Sequence, residues 1–341
     1  MKKVLNTLYI TKPDLYLSKN GDNIVIKKDN HIIKTYPYHI FDNIVCFSYL
    51  GASPSLMKLC MENHINLSFH TPQGQFCGRV IGKTNGSVLL RHEQYRIADD
   101  KRSIPIVNNI VLAKVNNSYK YLIRFQKDHK NAIDENYFNI VKAKLKTIIK
   151  KIPKTKTKET LRALEGEAAA LYFSVFDQFI LTNKDTFYFN DRNRRPPKDN
   201  INALLSFCYS LLANECQSAL ESVGLDSYIG FLHVDRPGRA SLAFDLMEEF
   251  RSYLVDRFVI YLINTHQLTH KHFLTQEHRS ILLTDEAKQL ILDKWQQRKH
   301  DEIKHPFTKE YTPIGLLPYI QAQLLAKTIY GELENYPPFL L

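Results

Sequence analysis

The chain has 341 residues, 44% of them hydrophobic, with 19 Phe and 19 Tyr. That is enough to bury a sizeable core and excludes a disordered or fibrous chain. Lys and Arg number 46 against 35 Asp and Glu, a net +11, which favours a polyanionic partner because each neutralised phosphate releases counterions.

Met1 to Ile10 lacks the apolar core of a secretory leader. No apolar run reaches the roughly eighteen residues needed to span a bilayer, so no membrane partner and a cytoplasmic location are expected. The five cysteines (Cys46, Cys60, Cys77, Cys208 and Cys216) match no paired-thiolate zinc spacing and read as mostly buried thiols of a reducing compartment.

Residues 1–95 read as β-rich. Thr7 to Thr11, Asp14 to Ser18, Asn23 to Lys27, Asn43 to Tyr49 and Ile65 to Thr71 are strand-like. Asn20-Gly21 predicts a type I′ hairpin turn, and Lys28 to His31 a second turn. Pro72-Gln73-Gly74 and Asn85-Gly86 mark further turns. Ser53 and Pro54 open one helix that ends near His64.

Residues 96–105 are polar, close on Pro105, and read as a linker. Residues 106–341 then read as helix after helix, over Val107 to Phe125, Glu135 to Lys151, Thr160 to Leu181, Asn202 to Val223 and Ser241 to Asn264. Gly224 stops the fourth of these, and Thr284 caps one more helix that runs to about Gln297. The expected fold class is α+β: a small β-rich domain followed by a larger all-α domain.

Three segments combine as a chemical site. In Leu161 to Phe173, Glu165 shares a helix face with Ala168, Ala169 and Tyr172, which turns its carboxylate towards the protein, while Glu167 projects elsewhere. Gly166 costs the helix about 1 kcal/mol relative to Ala and so suggests close approach of another element. In Ile229 to Arg239, an apolar run delivers His233 into a tight loop rich in Asp, Pro and Gly.

Directly after it, Ser241 opens a helix carrying Asp245 and Glu248 one turn apart, with Glu249 about 100° round. Two carboxylates on one face repel unless a cation or base lies between them. Each segment alone also fits solvated acids or a turn histidine. Together they offer one nitrogen and two or three carboxylates, which suits Mn²⁺ and accepts Mg²⁺.

Basic segments accompany the site. Asn190 to Asn200 contains Arg192, Arg194, Arg195 and Lys198, and Arg236 and Arg239 flank His233. Guanidinium forks match phosphate geometry, so these are the expected DNA contacts. Lys142 to Lys158 holds eight lysines and no acids, equally a solvated face or a DNA track. His266, His270, His272 and His278 form a rival metal set, but no thiolate is near and Glu277 is out of register, so they read as a polar surface connection.

The segments Leu164-Glu165-Gly166, Gly230-Phe231-Leu232-His233 and Asp245-Leu246-Met247-Glu248 resemble the three motifs of the CRISPR-associated spacer-acquisition integrase, the Cas protein numbered one. Arg194 to Asp199 and Asn202 to Ser206 are similar to that family too, most closely to its subtype I-C branch.

The resemblance implies metal ligation by Glu165, His233 and Glu248, with Asp245 assisting in catalysis. Many members carry Asp where this chain has Glu248, so Glu249 stays in contention. It implies a homodimer through the β domains that acts with a small companion adaptation protein on a short DNA duplex and a CRISPR repeat. A 3′-hydroxyl of that duplex attacks a phosphodiester at the repeat edge, with Mg²⁺ or Mn²⁺ as cofactor. The alternatives are a non-catalytic basic DNA-binding scaffold and a branched-DNA nuclease of repair.

Overall fold

A computed structural model describes residues 6–71, 76–82, 88–193, 196–276 and 280–341. The expected turns at Pro72 to Gly74 and Asn85-Gly86, and His278 and Glu277 of the histidine segment, lie outside the described residues. The chain divides into two compact units. A β-rich segment precedes a mostly helical one, as expected.

The first unit spans residues 1–85 together with 283–303 and 312–316. Its strands are β1 (Thr7–Ile10), β2 (Tyr16–Asn20), β3 (Asn23–Lys28), β4 (His31–Pro37), β5 (Asn43–Cys46), β6 (Asn66–His70) and β7 (Phe76–Arg79). Strands β2, β3 and β4 form an antiparallel meander, and the other four form a sheet ordered β1-β5-β6-β7. β1 and β6 both run parallel to β5. Helix α1 (Pro54–Glu62) starts as expected, with the Ser53 side chain accepting from Leu56 N–H and proline in the first turn. It crosses from β5 to β6, and Leu56, Leu59 and Cys60 join Leu8, Ile44 and Leu67 in the core.

The hairpin turns differ from expectation. Asn20 pairs with Asn23, so the two loop residues are Gly21 and Asp22. Of these, only Gly21 has positive φ (55°), which excludes type I′. The type I′ pattern belongs to the next hairpin, where Asp29 (48°) and Asn30 (63°) are both left-handed. The sequence reading missed β4, whose side chains are largely exposed and give no apolar run, and the short β7.

The second unit holds 86–282, 304–311 and 317–341. Its helices begin with α2 (Val88–Ala98), which lies inside the segment expected to be β-rich. The expected linker at 96–105 is instead the end of α2, a short turn and the start of α3 (Ser103–Asp128). Pro105 sits in the first turn of α3, where a missing N–H costs nothing.

Next come α4 (Glu135–Lys151), α5 (Lys158–Phe173) and α6 (Asn200–Ser222), the last stopped before Gly224 at φ 90°. Helix α5 ends eight residues before the expected Leu181. A 3₁₀ turn at Phe176–Phe179 swings both phenylalanines into the core, where Phe179 meets Tyr121, Phe125, Phe138 and Tyr172. The single helix expected over Ser241 to Asn264 is three pieces: α7 (Ser241–Glu248), a π-helical turn (Arg251–Asp256) and α8 (Arg257–Asn264).

Helix α9 (Asp285–Lys299), capped by Thr284, belongs with the first unit rather than the helical one. Its Lys299 ammonium donates to Thr7 Oγ1 (3.1 Å), and Thr11 Oγ1 donates to Gln289 Oε1 (3.0 Å). Helix α10 (Leu317–Ile329) packs on α6 and α2 in the second unit.

Residues 336–341 are stitched to the reverse side of α3 and α7. The buried Asn117 amide donates to the carbonyls of Glu249 (2.9 Å) and Phe339 (2.8 Å), and its oxygen accepts from Leu341 N–H (3.0 Å). Asn117→Ala strands these backbone groups away from water. It is expected to lower the unfolding free energy by about 2–3 kcal/mol, read as a shift in urea midpoint.

Candidate active site

The loop that carries His233 is organised by Asp245, whose side chain is fully buried on α7. Asp245 Oδ2 accepts from the backbone N–H groups of Phe231 (2.6 Å) and Leu232 (2.9 Å), and Oδ1 from that of His233 (3.0 Å). His233 Nδ1 lies 2.6 Å from Oδ1. A carboxylate accepts only, so Nδ1 carries the proton and Nε2 presents its lone pair. Arg162 of α5 donates to the Leu232 carbonyl (2.8 Å), tying the loop to the helix of Glu165.

Gly230 makes this packing possible. A Cβ there would lie 2.7 Å from Ser241 Cβ, 3.0 Å from the Ser241 carbonyl carbon and 3.1 Å from Asp245 Oδ2. Ser241 is not the expected cap. It lies within α7 and its hydroxyl donates to Val234 O, while the N–H groups of Leu242 and Ala243 are taken by the Ser227 carbonyl.

One turn beyond Asp245, Glu248 is 3% exposed and faces the same loop. Its Oε1 lies 3.9 Å from His233 Nε2 and accepts from Arg251 Nη1 at 2.7 Å. Its Oε2 lies 2.7 Å from the ammonium of Lys114 on α3, which also binds Glu165 Oε1 on α5. Three helices thus bring the carboxylates of Glu165 and Glu248 onto one cationic group beside the open nitrogen of His233. Burial opposes ionisation of Glu248, but Arg251 and Lys114 outweigh it and hold the carboxyl well below its ordinary range.

His233 is the base between Asp245 and Glu248, with Nδ1 2.6 Å from Asp245 Oδ1 and Nε2 3.9 Å from Glu248 Oε1. A cation, Lys114, lies between Glu248 and Glu165. Glu249 points the other way. Its carboxylate accepts from the Tyr336 hydroxyl, the Gln321 amide (3.1 Å) and Phe339 N–H (2.7 Å), and burial pushes its pKa up to about 8.

The π-helical turn gives Arg251 its place. Residues five apart diverge by about 140° on an α-helix but close one turn of a π-helix. Arg251 and Asp256 therefore both reach Tyr209 of α6: the guanidinium stacks 4.3 Å from the ring centre, and the hydroxyl donates to Asp256 Oδ1. Burial raises the Asp256 pKa to about 6. A cleft lined by Lys114, Glu165, Ala168, Ala169, Tyr172 and Tyr209, among others, opens here, so the expected face of α5 does border the site.

The model of the family described as CRISPR associated protein Cas1 matches residues 8–297. The chain belongs to this family. A Rhodospirillum rubrum relative described as a CRISPR-associated endonuclease Cas1 is 43% identical and aligns over 99% of both chains. One from Chlorobaculum tepidum with the same description is 41% identical, over 100% of this chain and 99% of its own. The fold is that of a solved Cas1 protein from Thermotoga maritima (TM-score 0.79, 24% identity, 95% of this chain and 97% of the other). The family read from the three motifs is borne out, as is the β-then-α organisation.

The other expected Cas1 site residues are scattered in role. Arg192 is turned inward: its Nη1 donates to Asn202 Oδ1 (2.6 Å), its Nη2 to Ser206 Oγ (3.2 Å), and it lies over the Tyr209 ring. Arg194 and Arg195 lie outside the described residues. Lys198 and Arg236 are exposed, and Arg239 stacks on Phe244. Gly166 is exposed with open space around it, so no element among the described residues approaches it closely and that expectation is corrected.

His266 pairs with Asn183 and His272 with the Thr269 backbone, both within surface connections. Among the described residues, no three His, Cys, Asp or Glu side chains are gathered as an ion site. Sequence reasoning missed Lys114 and Arg251. The signal for Lys114 was a lone cation within the apolar run Ile110 to Val115 of α3.

Gly230→Ala is expected to cost about 1–3 kcal/mol of stability through overpacking and to shift the His233 ring resonances; an unchanged melting temperature would refute the close approach. Asp256, with a folded pKa of about 6 against 3.8 when free, favours the folded state below pH 4 and loses that contribution as pH rises through 6. Asp256→Asn should remove this downward slope between pH 4 and 6 in urea unfolding.

Proposed function

We propose that the chain is the metal-dependent DNA integrase and endonuclease of CRISPR adaptation, with Glu165, His233 and Glu248 as the metal-binding set. The observation that carries this reading is the convergence of two carboxylates from α5 and α7 on one cationic group, next to a histidine nitrogen left open by Asp245. Family membership and full-length relatives described as CRISPR-associated endonucleases support it.

The donor set fits Mg²⁺ or Mn²⁺. It offers carboxylate oxygens and one imidazole with no thiolate, and Glu165 Oε1 and Glu248 Oε2 already converge on one cation. Such an ion, when bound, supplies Lewis acidity at a phosphoryl oxygen and eases deprotonation of an attacking hydroxyl. Asp245 fixes the tautomer and aim of His233, so it acts as a positioning residue rather than a ligand. Arg251 holds Glu248 ionised and directed at the site.

Phosphate contacts are assigned to Lys198, Arg236 and Arg239 on exposed or half-exposed loops, and to Arg194 and Arg195 on their sequence alone. Arg192, committed to Asn202 and Ser206, orders that loop instead. The reading includes a homodimer through the β-rich unit, acting with the small companion adaptation protein on a short duplex and the CRISPR repeat. No described helix is long and apolar enough to cross a membrane.

The test is strand transfer of a short duplex with free 3′-hydroxyls into a repeat-bearing plasmid, with Mg²⁺, Mn²⁺ or chelator and with or without the companion. Joining should require metal and fall at least about a hundredfold in Glu165→Ala and His233→Ala, whose circular dichroism should match the parent. Full activity in both variants would overturn the site. Metal-dependent cleavage of branched DNA without joining would favour the repair nuclease, and binding without chemistry the scaffold.

A further inference from the structure

Lys114 stands where a core residue is expected. Val111, Ala113 and Val115 around it are buried, and its own side chain is only 14% exposed. An ammonium kept from water needs compensation, and Glu165 and Glu248 provide it. In turn they need Lys114, because two carboxylates facing one cleft repel.

Glu165 Oε1 and Glu248 Oε2 converge on the single ammonium of Lys114, while Glu248 Oε1 is held by Arg251. A divalent ion taking the same two carboxylates would have to occupy the place of the cation already between them. Arg251 is anchored on two sides, by stacking 4.3 Å from the Tyr209 ring centre and by its 2.7 Å contact with Glu248 Oε1. Lys114 is held by ion pairs alone, through a flexible four-carbon stem, and it lines the open cleft beside Ser118, Ala168 and Ala169.

We propose that Lys114 is an exchangeable counterion. In the metal-free protein it holds the carboxylates of Glu165 and Glu248 together, and a divalent ion taking those carboxylates displaces it into the cleft. The inference rests on the metal-binding reading of the site. It makes metal uptake an exchange of cations on a preformed pair of acids, with Lys114 setting the affinity.

The experiment uses the full chain and Mn²⁺ alone, with binding followed by electron paramagnetic resonance of the free ion. It compares the parent with Lys114→Met and Glu165→Gln. Lys114→Met removes the competing charge at nearly constant volume and should bind Mn²⁺ roughly tenfold or more tightly, since unit charges a few ångströms apart interact by more than about 1.4 kcal/mol at intermediate dielectric. Glu165→Gln should bind more weakly.

In the parent, amine-reactive labelling of Lys114 read by mass spectrometry should rise several-fold with Mn²⁺, and this rise should vanish in Glu165→Gln. The labelling result decides the matter if Lys114→Met fails to fold. Mn²⁺ binding that requires Glu165, with Lys114 labelling unchanged, overturns this inference and leaves the proposed function standing. Mn²⁺ binding indifferent to Glu165→Gln overturns both.

Discussion

A carboxylate without solvent contact has to find its compensation inside the fold, and Asp245 finds it in three consecutive backbone N–H groups and one imidazole. Hydrogen bonds to a charged acceptor in a low-dielectric interior are strong and directional. The loop of residues 230–233 is therefore wrapped onto the first turns of α7 and has little freedom of its own. Gly230 supplies the clearance, Arg162 ties the far side of the loop to α5, and His233 is left with one nitrogen committed and one open. Helical spacing does the rest, since Glu248, one turn from Asp245, must face the same loop.

Around that anchor the site is a cluster of charges built from separate helices. Each acid is matched to a base that reaches it from another direction, which keeps Glu248 ionised despite near-complete burial. The adjacent acid, Glu249, has no such base. It sits among neutral donors on the reverse of α7 and its pKa is driven up. Two neighbouring glutamates thus differ in charge state through their surroundings alone, and Glu248 is the one directed at Glu165 and His233.

Much of this was legible in the sequence. The shared face of Glu165, Ala168, Ala169 and Tyr172 and the order of acid, loop histidine and helical acid pair are short-range patterns that helix geometry makes readable. What escaped notice depends on tertiary partners. Lys114 is one residue in an apolar helix, and only the fold reveals that its stripe meets two carboxylates. Arg192 looked like a phosphate contact because sequence shows charge but not direction. Strand β4 was hidden by its exposed faces, and α9 was assigned to the wrong unit because chain order is a poor guide to contact. The separate fates of Glu248 and Glu249 follow from helix phase, but identifying which phase is inward needed the loop above it.

The π-helical turn after α7 gives the segment from Ser241 to Asn264 an unusual arithmetic. Its one wide turn holds one residue more than a regular helix would, which rotates α8 from the position a regular continuation would give it. Chain length across Arg251 to Asp256 therefore carries information that residue identity does not. Removing a single residue there would turn everything on one side of the cut by about 100° relative to the other. In this stretch, the number of residues shapes the geometry as much as their identity does.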